Sequence, residues 1–152
     1  MKEIQLTNGQ IVLVDEEDFI YLTEITWGQN RGYGVTYVLV NCKPKRFYMH
    51  KMVMRAGKGQ IVDHINGNKL DNRKENLRLV THQQNCMNQN IAINNSTGYK
   101  GVSYHKGHQK YGASIRINNR LVHLGYFKNP FDAALAYNEA ALMYFGKYAR
   151  LN

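Results

Sequence analysis

The residues able to do chemistry together are Asp63 and His64, then Asn76, then Asn85. Hydrolysis of a phosphodiester needs a base to activate water and a cation to steady charge on the phosphate and the leaving oxygen. An imidazole, with an ordinary pKa of ~6.5, suits the first task. Asp63 and Asn85 offer hard oxygen donors of the kind Mg²⁺ or Mn²⁺ prefers. Two protein oxygens would leave room for water and for the substrate phosphate. Single histidines are more often structural, so His64 draws its weight from the set around it. His50 is expected to be structural or to face phosphate, and His82 to lie on a helix surface or contact DNA. Asp71 and Asn72 read as turn residues. Arg73, Lys74 and Arg78 read as phosphate contacts beside this set. Trp27, Tyr33, Tyr37 and Tyr48 read as core.

Local patterns say which elements must carry these side chains. Ile61-Val62 opens a short strand that ends at Asp63-His64, and Asn66 to Arg73 is a polar loop. Asn76 opens the returning strand, with Leu77, Leu79 and Val80. Thr81 and Gln84 form a capping-box pattern for a helix over 82–90, which carries Asn85 on its first turns. A strand–loop–strand–helix unit can fold Asp63, His64, Asn76 and Asn85 onto one point. Upstream, Asn8-Gly9 predicts a two-residue hairpin turn between 4–6 and 11–13. Asp15 to Asp18 predict a helix start. Tyr33 to Val40 and Arg46 to Met49 predict a second hairpin turning at Lys43-Pro44-Lys45, and 49–55 a short helix ended by Gly57 to Gly59.

Val62-Asp63-His64-Ile65-Asn66-Gly67-Asn68, Asp71-Asn72-Arg73, Glu75-Asn76-Leu77-Arg78 and Thr81 to Asn85 together resemble the HNH endonuclease motif with its ββα-metal fold. The likeness is greatest to the phage and intron homing-endonuclease branch, in which asparagine replaces the final histidine. It covers roughly 46–90. The resemblance implies that Asp63 and Asn85 are metal ligands for Mg²⁺ or Mn²⁺, that His64 is the general base, and that Asn76 holds the loop and orients His64.

Beyond Asn94-Asn95-Ser96-Thr97-Gly98, a turn-rich stretch, three strand-like runs follow at 100–105, 111–117 and 120–127. Asn118-Asn119 predicts a tight turn. Asn129 and Pro130 predict the start of a helix that Gly146 ends. Its alanines at 133, 134, 136, 140 and 141 let it lie close on a sheet whose other face is left to touch a partner. Tyr99-Lys100-Gly101-Val102, Ala113-Ser114-Ile115-Arg116, Leu124-Gly125-Tyr126-Phe127, Ala133-Ala134, Ala136-Tyr137, Ala140-Ala141 and Asn152 resemble the plant ethylene-response-factor (AP-two) DNA-binding domain. That resemblance implies a sheet laid in the major groove, with DNA contacts at Lys100, Arg116 and His123; Tyr104, Lys110 and Arg120 are expected to bind DNA beside them. Ser103 and His105 stand where the plant domains carry arginine, so the plant base preference does not transfer. The HNH-then-AP-two order is familiar in phage-borne endonucleases.

The fold class expected is α+β. A nuclease module spans 1–90, a linker 91–98 and a DNA-binding module 99–152. The net charge of +9 over 152 residues favours a polyanion and excludes an acidic, self-solvating chain. Residues 1–24 carry −5 and 25–152 carry +14, and no carboxylate lies between Glu75 and Asp132. Cys42 and Cys86 are too far apart in sequence for a CxxC zinc frame, and no disulfide framework exists. No apolar run of ~18 residues and no signal-like N-terminus stands out, so a cytoplasmic protein is expected. One constellation per chain predicts a monomer that nicks one strand of double-stranded DNA, with neither membrane nor protein partner. The runner-up is a DNA-binding regulator that keeps the fold without cutting.

Overall fold

The computed structural model describes residues 1–152. They form two compact units, Met1–Asn85 and Cys86–Asn152, each with its own core. Residues 91–98 fall within the second. The architecture is mixed α+β, with several small antiparallel sheets and few helices. No helix is long and apolar enough to cross a membrane.

In the first unit, β1 (Lys2–Gln5) pairs with β2 (Ile11–Val14). The connection is wider than the Asn8-Gly9 turn the sequence predicts. Leu6 is drawn into the core and donates its N–H to the Gln10 carbonyl, and of the two turn residues only Gly9 takes positive φ. Helix α1 (Glu16–Thr23) starts at Asp15 with Glu16, Glu17 and Asp18 in its first turn, where carboxylates meet the positive end of the helix dipole. Strands β3 (Gly28–Asn30), β4 (Tyr33–Val40) and β5 (Lys43–Tyr48) form an antiparallel sheet in that order. The β4–β5 turn is Asn41-Cys42, both at positive φ, as a tight hairpin turn requires. Lys43-Pro44-Lys45, expected to be the turn, belongs to β5. Proline is tolerated there because β5 is an edge strand with an unpaired side.

Helix α2 (Met49–Val53) follows, then β6 (Ile61–His64). A loop and a 3-10 turn (Lys74–Asn76) lead to β7 (Leu77–Val80), antiparallel to β6. Helix α3 (His82–Met87) is shorter than expected, but its capping box is made in both directions: Thr81 N–H donates to Gln84 Oε1 and Gln84 N–H to Thr81 Oγ1. Val12, Val14, Leu22, Trp27, Met49, Val62 and Leu77 fill the core. They bring β2, α1, α2, β6 and β7 together and so fix the strand ends that carry the site.

In the second unit, β8 (Val102–His105), β9 (Lys110–Ile117) and β10 (Arg120–Phe127) form an antiparallel sheet with β9 in the middle. Asn118 and Asn119 both take positive φ at the β9–β10 turn. Helix α4 (Pro130–Phe145) is capped by Asn129, whose side chain accepts the Asp132 N–H, and it buries Ala133, Ala134, Tyr137, Ala140 and Ala141. Strand β8 begins two residues later than expected. Gly101 is at φ +74°, and a Cβ there would lie 2.2 Å from the Tyr137 ring, so this backbone is a turn pressed on the helix.

Candidate active site

Antiparallel pairing puts Asp63 opposite Arg78 and His64 opposite Leu77. Both Asp63 and His64 are buried at the end of β6. Asn76 ends the 3-10 turn just before β7, and Asn85 lies partly buried on α3. The strand–loop–strand–helix expectation therefore describes the local architecture.

The loop between the strands is built from amide and carboxylate side chains. Asn76 Oδ1 accepts the Asn66 N–H at 3.0 Å, and Asn76 Nδ2 donates to the Asp71 carbonyl at 2.8 Å. Asn66 Nδ2 donates to Asp71 Oδ2, and Asn66 Oδ1 accepts the Asn68 N–H. The buried Asp71 carboxylate receives Arg73 through Nε and Nη2, both at 2.8 Å, which holds its pKa below the usual range. The loop lies along β2: Leu13 donates to the Leu70 carbonyl and Asn72 N–H to the Leu13 carbonyl.

His64 is held by Asn72. Its Nε2 lies 2.9 Å from Asn72 Oδ1, in a contact wholly inside the protein. With Asn72 Oδ1 as the acceptor, Nε2 carries the proton and Nδ1 is the nitrogen that takes one up. Asn72 is fully buried and its Nδ2 has no hydrogen-bond partner. The aromatic side chains around the imidazole are His50, with ring centroids 5.2 Å apart, and Tyr33, at 5.9 Å; Tyr33 and Tyr48 in turn contact His50. Burial pushes His64 below its ordinary pKa despite the opposing pull of Asn72, Asp63 and Asp71. Burial, with the neighbouring His64, pushes His50 down to about 3. Both rings are therefore neutral at pH 7, and His64 is in the form that accepts a proton.

Three of these partners, Asn72, Tyr33 and His50, escape the sequence reading. Asn72, read as a turn residue, contacts His64, whereas Asn76, expected to orient His64, bonds only within the loop. Asn72 is buried because the loop rests on β2, a contact far away in sequence that no local pattern reveals. Tyr33 and Tyr48, read as core, line the site's wall together with His50, and Tyr37, also read as core, is exposed.

The basic residues expected at phosphates are placed unevenly. Arg73 is clamped to Asp71 and also pairs with Glu75. Lys74 pairs with Glu17 and with Asp18 on α1, at 2.6 and 3.2 Å. Arg78 donates to Asp63 Oδ2 from Nε at 2.9 Å and Nη2 at 2.8 Å. All three are thus paired with carboxylates. In the second unit, Lys110 and Arg116 alternate along β9 on the face opposite the buried Ala113 and Ile115, and His123, paired with Ser114, shares that face. Tyr104 pairs with Tyr111, and Arg120 with Ile117, both on the helix side. Lys100 precedes the sheet, and its ammonium donates to the Met87 and Gln89 carbonyls, with burial lowering its pKa to about 8.

For a divalent cation, the donor chemistry of Asp63 and Asn85 fits. Asp63 also accepts from Arg78 through Oδ2, so this carboxylate would serve an ion pair as well as a cation. No group of three or more His, Cys, Asp or Glu side chains gathers to hold a metal, so a cation here would complete its shell with water and substrate oxygens.

Residues 55–87, the stretch just described, match the HNH endonuclease family. An uncharacterized HNH endonuclease of Acanthamoeba polyphaga mimivirus is 31% identical over 147 residues, spanning 95% of this chain and 75% of that protein. Protein 3.8 of Escherichia phage T7 is 34% identical over 85 residues, half of this chain and 70% of its own length. The likeness to the viral protein runs through both compact units, and with the strand-end histidine and its asparagine-built loop it makes this chain a member of the HNH endonuclease family.

Proposed function

We propose that the protein is a divalent-metal-dependent endonuclease of the homing type that hydrolyses one strand of double-stranded DNA. The observation that carries this reading is His64, buried at the strand end, with its Nε2 held by Asn72 Oδ1 at 2.9 Å and its pKa lowered by burial, so that the ring is in the proton-accepting form. His64 Nδ1 takes a proton from a water molecule. The water oxygen attacks phosphorus, and the bond to the leaving sugar oxygen breaks. Asp63 and Asn85 would hold the cation, which would neutralise charge on the phosphate and the leaving oxygen. Asn76 and Asp71 keep the loop fixed, so the imidazole does not have to reorganise during the reaction. Arg73 and Lys74 act as fasteners, whereas Arg78 adds positive charge beside the phosphate.

The unit Cys86–Asn152 is the target-reading module in this proposal. It has the three-stranded sheet and single packed helix that the AP-two resemblance implies, and one face of that sheet carries Lys110, Arg116 and His123. A DNA-binding protein that does not cut is the second reading, favoured by the Arg78–Asp63 pair, which neutralises a proposed ligand. Supercoiled plasmid incubated with Mg²⁺ or Mn²⁺, with and without EDTA, separates the two. Conversion to open circle that EDTA and His64→Ala both abolish is expected. Intact supercoiled plasmid with retained DNA binding would establish the second reading.

A further inference from the structure

Residues 25–62 contain seven Lys and Arg and no Asp or Glu. Within them, β4 and β5 run on past the core as a two-stranded ribbon, Tyr37 to Arg46, in which every residue is exposed. Tyr37 faces Arg46, Val38 faces Lys45, Leu39 faces Pro44 and Val40 faces Lys43. Unlike Arg73, Lys74 and Arg78, the bases Lys43, Lys45 and Arg46 enter no ion pair.

Side chains alternate along a strand, so Tyr33, Tyr37 and Leu39 share one face of the ribbon with Tyr48, Arg46 and Pro44. At the foot of that face, Tyr33 lies against His64 and Tyr48 against His50. Arg46 sits 5.2 Å from the Tyr48 ring. The face therefore leads outward from the candidate base through Tyr48, Arg46 and Tyr37 to Leu39. On the other face, Lys43 and Lys45 flank the exposed Val38 and Val40. Bases outside any ion pair, on a ribbon that leads out from the candidate site, call for a polyanion, and the exposed aromatic and aliphatic side chains between them call for a surface with some apolar groups, such as thymine methyls. The major groove of a duplex offers both, and it admits a two-stranded ribbon.

We propose that the Tyr37 to Arg46 ribbon is a DNA-contacting arm that enters the groove of the duplex beside the phosphate addressed by His64. The proposal rests on the nuclease reading for where the duplex lies. Lys43, Lys45 and Arg46 meet phosphates on the groove walls, and Tyr37 and Leu39 meet the base edges. From Tyr48 to the turn the ribbon extends roughly 17 Å at ~3.4 Å per residue. At ~3.4 Å per base pair along the duplex, that is about five base pairs.

The test uses the full chain, metal-free buffer and a fluorescent 30-base-pair duplex. The triple variant Lys43→Gln, Lys45→Gln, Arg46→Gln is compared with Lys58→Gln, Lys128→Gln, Lys147→Gln. Each lost phosphate contact removes about 0.9 from the slope of log affinity against log salt. The ribbon variant is expected to lose about 2 to 3 of slope and the comparison variant less than about 1. In a second measurement the ribbon bases are left intact. Cys42, at the hairpin turn and exposed, carries a photoactivatable azidophenacyl group in a Cys86→Ser background. Crosslinking to DNA is expected, at about five base pairs from the cleavage position once metal is supplied. An unchanged slope in the ribbon variant, or no Cys42 crosslink while the duplex is fully bound, overturns the proposal and leaves the nuclease reading standing. Protein-to-protein crosslinks at Cys42 in its place would mean that a second copy covers the ribbon, and would also overturn it. Failure of the unaltered chain to bind duplex at all would sink the nuclease reading itself.

Discussion

An imidazole accepts a proton in a fixed direction only if its tautomer is fixed, and here that task falls to Asn72. Asn72→Leu would remove the Oδ1 acceptor that His64 Nε2 meets in a buried place, a loss of about 1–3 kcal/mol of stability. It is also expected to cut the cleavage rate without a matching loss of DNA affinity. Nitrogen-15 shifts of the His64 ring check this directly, with the Nε2–H tautomer dominant in the native protein and mixed in the variant. His64→Ala removes the base and should lose ~10²–10⁴ in rate, measured as open-circle formation at saturating metal. Because burial lowers the His64 pKa, the cleavage rate should rise with pH below the ordinary histidine value of ~6.5 and be flat above it. An acid limb centred above ~6.5 would contradict the neutral, buried imidazole.

His50 makes a separate claim about stability. Its folded pKa, about 3, lies below the unfolded value of 6.5, so the unfolded chain binds the extra proton between those limits. The His50 contribution is thus whole above pH 6.5 and declines as pH falls toward 3. The slope approaches ~1.4 kcal/mol per pH unit. In urea melts across that range the native protein should lose stability relative to His50→Phe as the pH drops, because phenylalanine cannot titrate.

At the scale of elements, the sequence reveals most where the signals are local. The Thr81/Gln84 cap, the Asn129-Pro130 helix start and the Asn118-Asn119 turn each lie within a few residues and match the structure. Boundaries fail where a distant packing partner decides them. Leu6 is drawn into the core and widens the first hairpin, and Gly101 is pressed on Tyr137 and delays β8. The candidate site divides the same way. His64, Asp63, Asn76 and Asn85 are legible from spacing, whereas Asn72, His50 and Tyr33 reach His64 only through the tertiary fold. The loop from Asn66 to Asn76 is the element that joins these levels. Asn76→Ala removes its bonds to Asn66 and Asp71 and should cost about 1–3 kcal/mol. Denaturant midpoints and amide exchange at Asn66 and Asn72 measure that loss. Gly101→Ala should destabilise the second unit more, since its Cβ would overlap the Tyr137 ring at positive φ.

For the whole molecule, the two units make separable predictions. Arg116→Glu should weaken duplex binding and flatten its salt dependence, because Arg116 stands on the open face of the second sheet. Lys100→Glu should instead show itself in thermal melts. A carboxylate there would face the Met87 and Gln89 carbonyls that the ammonium now holds. Binding by the surviving folded fraction should change less than in Arg116→Glu. One His64 per chain predicts that plasmid stops at the open-circle form. Early linear product from a single-site plasmid, together with a dimer mass in solution, would refute single-strand cutting by a monomer.

Pro44 has a further consequence, for how the protein behaves when crowded. Val38-Leu39-Val40 is an uncharged, exposed β segment of the type that seeds fibrils by pairing edge to edge. Its neighbour β5 is the open edge, and there Pro44 interrupts the row of N–H donors while Lys43 and Lys45 repel an identical strand. The arm can thus keep its apolar tip bare without recruiting copies of itself. Replacing Pro44 and Lys45 by valine would remove both guards, and that variant should form thioflavin-positive aggregates at concentrations where the native chain stays clear.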